Sequence, residues 1–353
     1  MNVLLNPGPV TLSSRVREAM QRPDLCHREV EFADLMLDLR ARLARVYPGG
    51  FLPVLLTGSG TAAVEAMLAS LAPRNAPTLV LTNGVYGERM ATMLTLQGKP
   101  VETLAQSWLS GLDPEGLDAF LARRPDVGHV ATVHHETTTG RLNDLAAIAE
   151  VCKRHGRQLM IDAVSSFGAE ALSLSGPVLA VAATANKCLH GVPGVSFVLV
   201  RPDALSEHKS QSPSLYLDLF RYAAEQARGF SPFTMAVQCC YALQEALREF
   251  DEEGGAEARR QCYARRTETV RSVLEGLGSE ALLPRSESSS MLTAYGLPAI
   301  GYAALHDQLK AAGFTIYAGQ GELAPRIFRI ATMGTIAESE LRALTETLAR
   351  VIG

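Results

Sequence analysis

No two of the six cysteines (Cys26, Cys152, Cys188, Cys239, Cys240, Cys262) stand at C-x-x-C spacing. Neither a zinc-type ligand set nor a disulfide framework is supported, so no metal is expected, and reduced thiols in a cytoplasm are. No apolar run approaches the ~18 residues of a membrane span, so no membrane association is expected. The opening Met1–Pro9 has no basic segment followed by a long apolar stretch, and no signal peptide is expected. There is also no cluster of basic residues. With 33 Lys and Arg against 37 Asp and Glu, a net charge of −4 and a pI near 6.1, nucleic acid is not expected as a partner. What remains is ordinary globular composition, 47% apolar and 20% charged over 353 residues, enough for a large domain and a smaller one.

Short β-branched runs alternate with amphipathic stretches in the first two thirds. Leu52–Thr57, Thr78–Asn83, Val127–Val133, Gln158–Asp162 and Ser196–Val200 read as strands, most of them buried on both faces. Thr61–Leu71, Glu88–Leu96 and Leu145–His155 read as helices between them. That alternation predicts a parallel sheet covered by helices on both sides. Beyond Pro232 the pattern changes to two long helices, Met235–Glu249 and Ala256–Leu277, then strand–helix–strand from Ser290 to Ile330 and a last helix from about Ala337. The polar stretch Ser206–Pro213 is the candidate mobile loop.

Four stretches carry chemistry. Thr57-Gly58-Ser59-Gly60-Thr61, between a strand and a helix, can turn N–H groups and hydroxyls toward an anion, although alone it reads equally well as a capped helix start. It also fits G-x-G-x-x-A, but no acid closes the second strand to grip a ribose, which weakens a dinucleotide reading. Asp162 ends a strand, where parallel sheets bind ligands. A carboxylate there can hold a protonated ring nitrogen and keep the ring electron-accepting. Lys187 lies among small and apolar residues in Ala183–Gly194, and burial would lower its pKa and make it a plausible Schiff-base amine. His134-His135-Glu136-Thr137-Thr138-Thr139-Gly140 ends a further apolar strand with three hydroxyls.

In this order and spacing, the four stretches resemble the fold-type I pyridoxal-phosphate (PLP) enzymes of aminotransferase class V. The resemblance runs through essentially the whole chain, including Asn6-Pro7-Gly8-Pro9 and Cys26–Phe32. It is closest to the transaminases that move an amino group between 2-aminoethylphosphonate and pyruvate, through His135–Gly140, Asp162–Gly168, Ala185–Cys188, Asn83–Gly87 and Phe328-Arg329-Ile330. The implied fold is α/β, a large PLP-binding domain (12–235) with a mainly parallel central sheet and a smaller α+β domain (236–353) joined by residues 1–11. The implied unit is a homodimer, and the implied small-molecule partners are an amino donor and a keto-acid acceptor.

Residue by residue, the resemblance implies that Lys187 forms the Schiff base and Asp162 pairs with the ring nitrogen. Ser59, Gly60 and Thr61 hold the phosphate, Tyr86 stacks on the ring, and Thr138 or Thr139 lies near the ring hydroxyl. Arg329 binds a substrate carboxylate, Gly8 lines the cleft and Thr234 reaches the partner subunit's phosphate. Pro213 stands where the resemblance leads one to expect an arginine, leaving Arg28, Arg89 and Arg141 as substitutes by type. Ser231-Pro232-Phe233-Thr234 is offset by one residue. The competing readings are another class V enzyme (alanine–glyoxylate or serine–glyoxylate transaminase), a nicotinamide oxidoreductase and a binding-only protein. A cysteine desulfurase would need a nucleophilic cysteine after Cys262, and none is present there.

Overall fold

A computed structural model describes residues 2–207 and 209–353 of the chain. Its centre is a seven-stranded sheet in the order Leu52–Gly58, Gly194–Val200, Val178–Thr184, Gln158–Asp162, His129–Val133, Thr78–Thr82, Val101–Ala105. Neighbours pair in parallel except around Gly194–Val200, which runs against both of its partners. The reason is local: the connection 185–193 is too short for a helical crossover, so the chain must turn straight back.

Alternation along each strand splits the core into two layers. Leu55, Leu159, Ile161, Val181 and Phe197 face the helices Val30–Val46 and Val237–Glu252. Leu56, Met160, Ala182 and Val198 face Gly60–Leu71, Val85–Leu96 and Leu219–Gln226. Burial of both faces explains why these strands read as continuous apolar runs. A separate core gathers Leu305, Leu309, Phe328, Ile330, Leu341 and Leu344 around an antiparallel sheet of Leu292–Gly296, Ile327–Ala331 and Tyr317–Ala318. Val3 and Leu5 belong to that core, and Val3–Leu4 pairs in parallel with Phe314–Thr315.

The helix that follows Ala236 packs on the large sheet. Val237–Glu252 buries Val237, Cys240, Leu243, Leu247 and Phe250 in the core of the large sheet. His208, inside the segment expected to be a mobile loop, lies outside the described residues. Farther along that segment, Gln211 is tied down: its N–H donates to the Ser70 carbonyl (3.0 Å) and its carbonyl accepts from Arg74 (3.0 Å).

The helix Gly60–Leu71 is anchored at its C-terminal end by a buried amine. Lys99, 4% exposed, donates to the carbonyls of Leu68 (2.9 Å), Ala69 (2.6 Å) and Ala72 (2.5 Å). A cation at that end satisfies carbonyls the helix leaves open and complements its dipole. Lys99→Met keeps the stem but removes every one of these bonds. We expect it to lower unfolding free energy by about 1–3 kcal/mol, read as a lower midpoint in urea. An unchanged midpoint would remove Lys99 from this role.

Candidate active site

The parallel strands deliver their C-terminal ends to one edge of the sheet, and the sequence-marked residues lie just past those ends. After Gly58 comes Ser59, which caps the helix Gly60–Leu71 without a side-chain bond to it. After Thr82 comes the turn to Tyr86, after Val133 the segment 134–140, and Gln158–Asp162 ends in the carboxylate itself. Lys187 lies in the short return after Thr184.

Two adjoining cavities share Tyr86, Asp162 and Val164. The first adds Thr61 and Arg89; the second adds Val133, His135, Thr137, Ser165 and Lys187. Asp162 Oδ1 accepts the Val164 N–H at 2.9 Å, and burial pushes the carboxyl up to about 6, with Arg89 and Lys187 pulling the other way. Burial likewise brings the Lys187 amine down to about 8. Lys187 Nζ donates to the Pro7 carbonyl. A Cβ on Gly8, whose φ is +103°, would come within 2.8 Å of Nζ, so glycine is what lets the N-terminal segment reach the lysine.

Glu136 had no role assigned from the sequence, and here it joins two walls of the cleft. Its carboxylate accepts the Thr138 hydroxyl (2.6 Å), the Thr138 N–H (3.2 Å) and the Tyr86 N–H (3.2 Å). A Cβ on Gly84 would overlap that carboxyl. Burial pushes Glu136 up to about 7, while its three donors pull it down. Thr138 is thereby committed: its oxygen also accepts the Val85 N–H (3.3 Å). The Thr139 hydroxyl is buried without a partner, and it is Thr137 that lines the cavity with Lys187.

Arg329 enters from the second core and is 2% exposed. Nε donates to the Ala318 carbonyl (2.9 Å), and Nη1 to the Thr137 carbonyl (2.8 Å) and Gln320 Oε1 (3.4 Å). Its bonds run to neutral oxygens only, and burial lowers its pKa. A buried guanidinium with no salt bridge among the described residues suits an anionic ligand. Among the substitute arginines, Arg141 is held by Glu287 and the Leu109 carbonyl, and Arg28 is exposed ahead of Val30–Val46. Arg89 lies over the Tyr86 ring, 4.8 Å from its centre, in the cavity shared with Thr61 and Asp162.

Two expected positions stand apart from the cavities. Thr234 is exposed and makes no hydrogen bond among the described residues, although Ala236 N–H donates to Thr57 Oγ1 (3.0 Å) close by. Pro213 is exposed on a loop whose Tyr216 hydroxyl donates to the Thr57 carbonyl (2.9 Å).

The residues fit pyridoxal phosphate. Ser59, Gly60 and Thr61 at a helix N-terminus suit its phosphate, Tyr86 and Val164 line both cavities where its ring would lie, Asp162 suits its nitrogen, and Lys187 suits its aldehyde. Buried polar atoms left without partners, both ring nitrogens of His135 among them, fit a polar ligand.

Residues 13–342 match the family described as aminotransferase class-V. The 2-aminoethylphosphonate–pyruvate transaminase of Pseudomonas putida (strain GB-1) is 36% identical over 99% of this chain and 96% of its own. The enzyme of that name from Burkholderia mallei (strain ATCC 23344) is 39% identical, covering 96% and 94%. Among solved structures, alanine–glyoxylate aminotransferase from Nostoc sp. superposes with a TM-score of 0.93 at 26% identity, over 100% of this chain and 95% of that one. Aspartate aminotransferase from Thermus thermophilus gives 0.90 at 28% identity, over 99% of each.

Asp162 sets a pH dependence. With its pKa raised to about 6, the carboxylate is charged above that pH and protonated below it. Cofactor affinity of the apo-protein should therefore fall as pH drops through 6, beyond the fall caused by the cofactor's own phosphate. Asp162→Asn should bind more weakly above pH 6 and keep only the phosphate-driven slope. Equilibrium dialysis on both proteins checks it; parallel profiles would contradict it.

Proposed function

Because the chain belongs to the class-V aminotransferases, we propose that it moves an amino group from 2-aminoethylphosphonate to pyruvate, giving phosphonoacetaldehyde and alanine. It is a PLP-dependent transaminase. The substrate reading is supported by the near-full-length relatives that bear this name. The single observation that carries it is Arg329, a buried cation at the cleft bonded only to neutral oxygens.

When bound, pyridoxal phosphate supplies an aldehyde and an electron-accepting ring. The chain's own groups do the rest. Lys187, with its pKa near 8, has a neutral fraction at neutral pH and would hold the aldehyde end of the cofactor and carry a proton to and from the substrate's reacting carbon. Asp162, ionised at that pH, keeps the ring nitrogen protonated. Arg329 offers a planar fork for the carboxylate of pyruvate or alanine, and the phosphonate of the other substrate takes the same place. Tyr86, held by Glu136 and covered by Arg89, fixes the ring plane.

The working unit in this reading is a homodimer in the cytoplasm. Leu215, 61% exposed, and Tyr216, 39% exposed, form an apolar surface; the Tyr216 ring lies against Phe233, next to the exposed Thr234, and its hydroxyl reaches the Thr57 carbonyl before the phosphate cup, as a surface covered by a second copy would. The six unpaired thiols suit a reducing compartment. A fully active monomer in sedimentation would refute the dimer.

Arg329→Ala should weaken alanine and 2-aminoethylphosphonate together, each by about 1.5–3 kcal/mol in kcat/KM. Arg329→Lys should recover only part, since an ammonium lacks the fork. Steady-state rates with 2-aminoethylphosphonate, alanine and serine, measured side by side, decide the substrate. If serine or a plain ω-amine exceeds the phosphonate tenfold, the substrate assignment fails while the cofactor chemistry stands.

A further inference from the structure

His135 is 1% exposed, and among the described residues neither of its ring nitrogens has a hydrogen-bond partner. Its position is nevertheless fixed. The backbone carbonyl accepts the Ser165 hydroxyl at 3.0 Å, and His135 lines the cavity shared by Lys187, Asp162 and Thr137. A buried imidazole with two idle nitrogens is costly in a finished core, and it is expected where a ligand completes the pairing.

The two cavities give the orientation. Thr61, from the phosphate cup, lines one of them; Lys187 and His135 line the other; Asp162, Tyr86 and Val164 line both. A ring that spans them, with its nitrogen at Asp162, its phosphate arm toward Thr61 and its aldehyde carbon at Lys187, turns its hydroxyl-bearing edge toward His135. Of the two hydroxyl residues expected near that edge, Thr138 is already spent on Glu136 and Val85, and Thr139 lines neither cavity. We propose that His135 is a further cofactor-binding residue, donating a ring N–H to the oxygen on the pyridine ring. This rests on the assignment of pyridoxal phosphate to the cleft.

The charged and titratable groups around the ring agree with a neutral donor. His134 precedes it, Glu136 comes directly after it, Asp162 and Lys187 share its cavity, and Arg329 grips the neighbouring Thr137 carbonyl. Burial, with help from His134 and Lys187, brings His135 down to about 3, so the imidazole is uncharged across the working range and has one N–H to give. No protein partner fixes which nitrogen carries it, so the ligand sets the tautomer.

A donor to the ring oxygen spreads its negative charge and loosens its hold on the proton it shares with the lysine-linked nitrogen. Loss of that donor should move the pH midpoint of the holoenzyme's visible absorbance upward by about one unit, and weaken rebinding of PLP to the apo-protein about tenfold. His135→Phe keeps a flat ring and removes both nitrogens, and His135→Met is a second donor-free side chain should the phenyl group disturb folding. His135→Gln restores an N–H and should bring the midpoint back toward the parent value. The inference is overturned if the donor-free variants titrate like the parent, or if the glutamine variant shifts as far as they do. If the parent itself develops no visible band with PLP, it is the cofactor assignment that fails.

Discussion

The arrangement of the cleft depends on a guanidinium that is buried with no carboxylate bonded to it among the described residues. Arg329 leaves a strand of the smaller core and is held by the carbonyl of Ala318 on its own side and that of Thr137 on the other. Neutral acceptors hold the fork in place without cancelling its charge, so its attraction for an anion is kept. The same restraint governs the other charged groups. Asp162 and Lys187 line one cavity without a direct ion pair, and burial moves both toward neutrality. A site whose charges are this poorly compensated is organised for ligands that bring the missing ones.

Positioning comes from the sheet. Parallel strands place their ends, and the residues just beyond them, at one edge, and Glu136 then ties the 134–140 segment to the turn carrying Tyr86. The helix Gly60–Leu71 is held at both ends, with its first turn under Val164 and its last carbonyls on Lys99. Since Asp162, Tyr86 and Lys187 stand on separate elements, none of them could be moved by an ångström without disturbing a packed layer.

Much of this was legible in the sequence because burial and turning leave marks. Strands buried on both faces read as apolar runs; Ser59 and Asp162 could be placed by the strand ends beside them, and Lys187 by the small and apolar residues around it. The reversal of Gly194–Val200 was not legible: its composition matches its parallel neighbours, and only the length of 185–193 sets its direction. Val178–Thr184 does not stand out as a strand because its alanines carry little β-preference. Val101–Ala105, a half-exposed edge, lacks a continuous apolar run. The helical pattern of Val237–Glu252 resembles that of Gly255–Gly276, and only packing shows that the first joins the core of the large sheet and the second the smaller core. In the site, Glu136 and His135 sat in plain view within the marked segment, but which side chain meets which is a matter of three-dimensional contact that spacing does not encode.

The central claim is that Lys187 is the amine to which the cofactor attaches. Reduction of the PLP-loaded protein with borohydride, then proteolysis and mass analysis, reads that bond directly. The phosphopyridoxyl mass should appear on the peptide containing Lys187, at close to one group per chain, and disappear from a Lys187→Ala protein. Labelling spread over several lysines, or concentrated on another such as Lys99, would contradict the account.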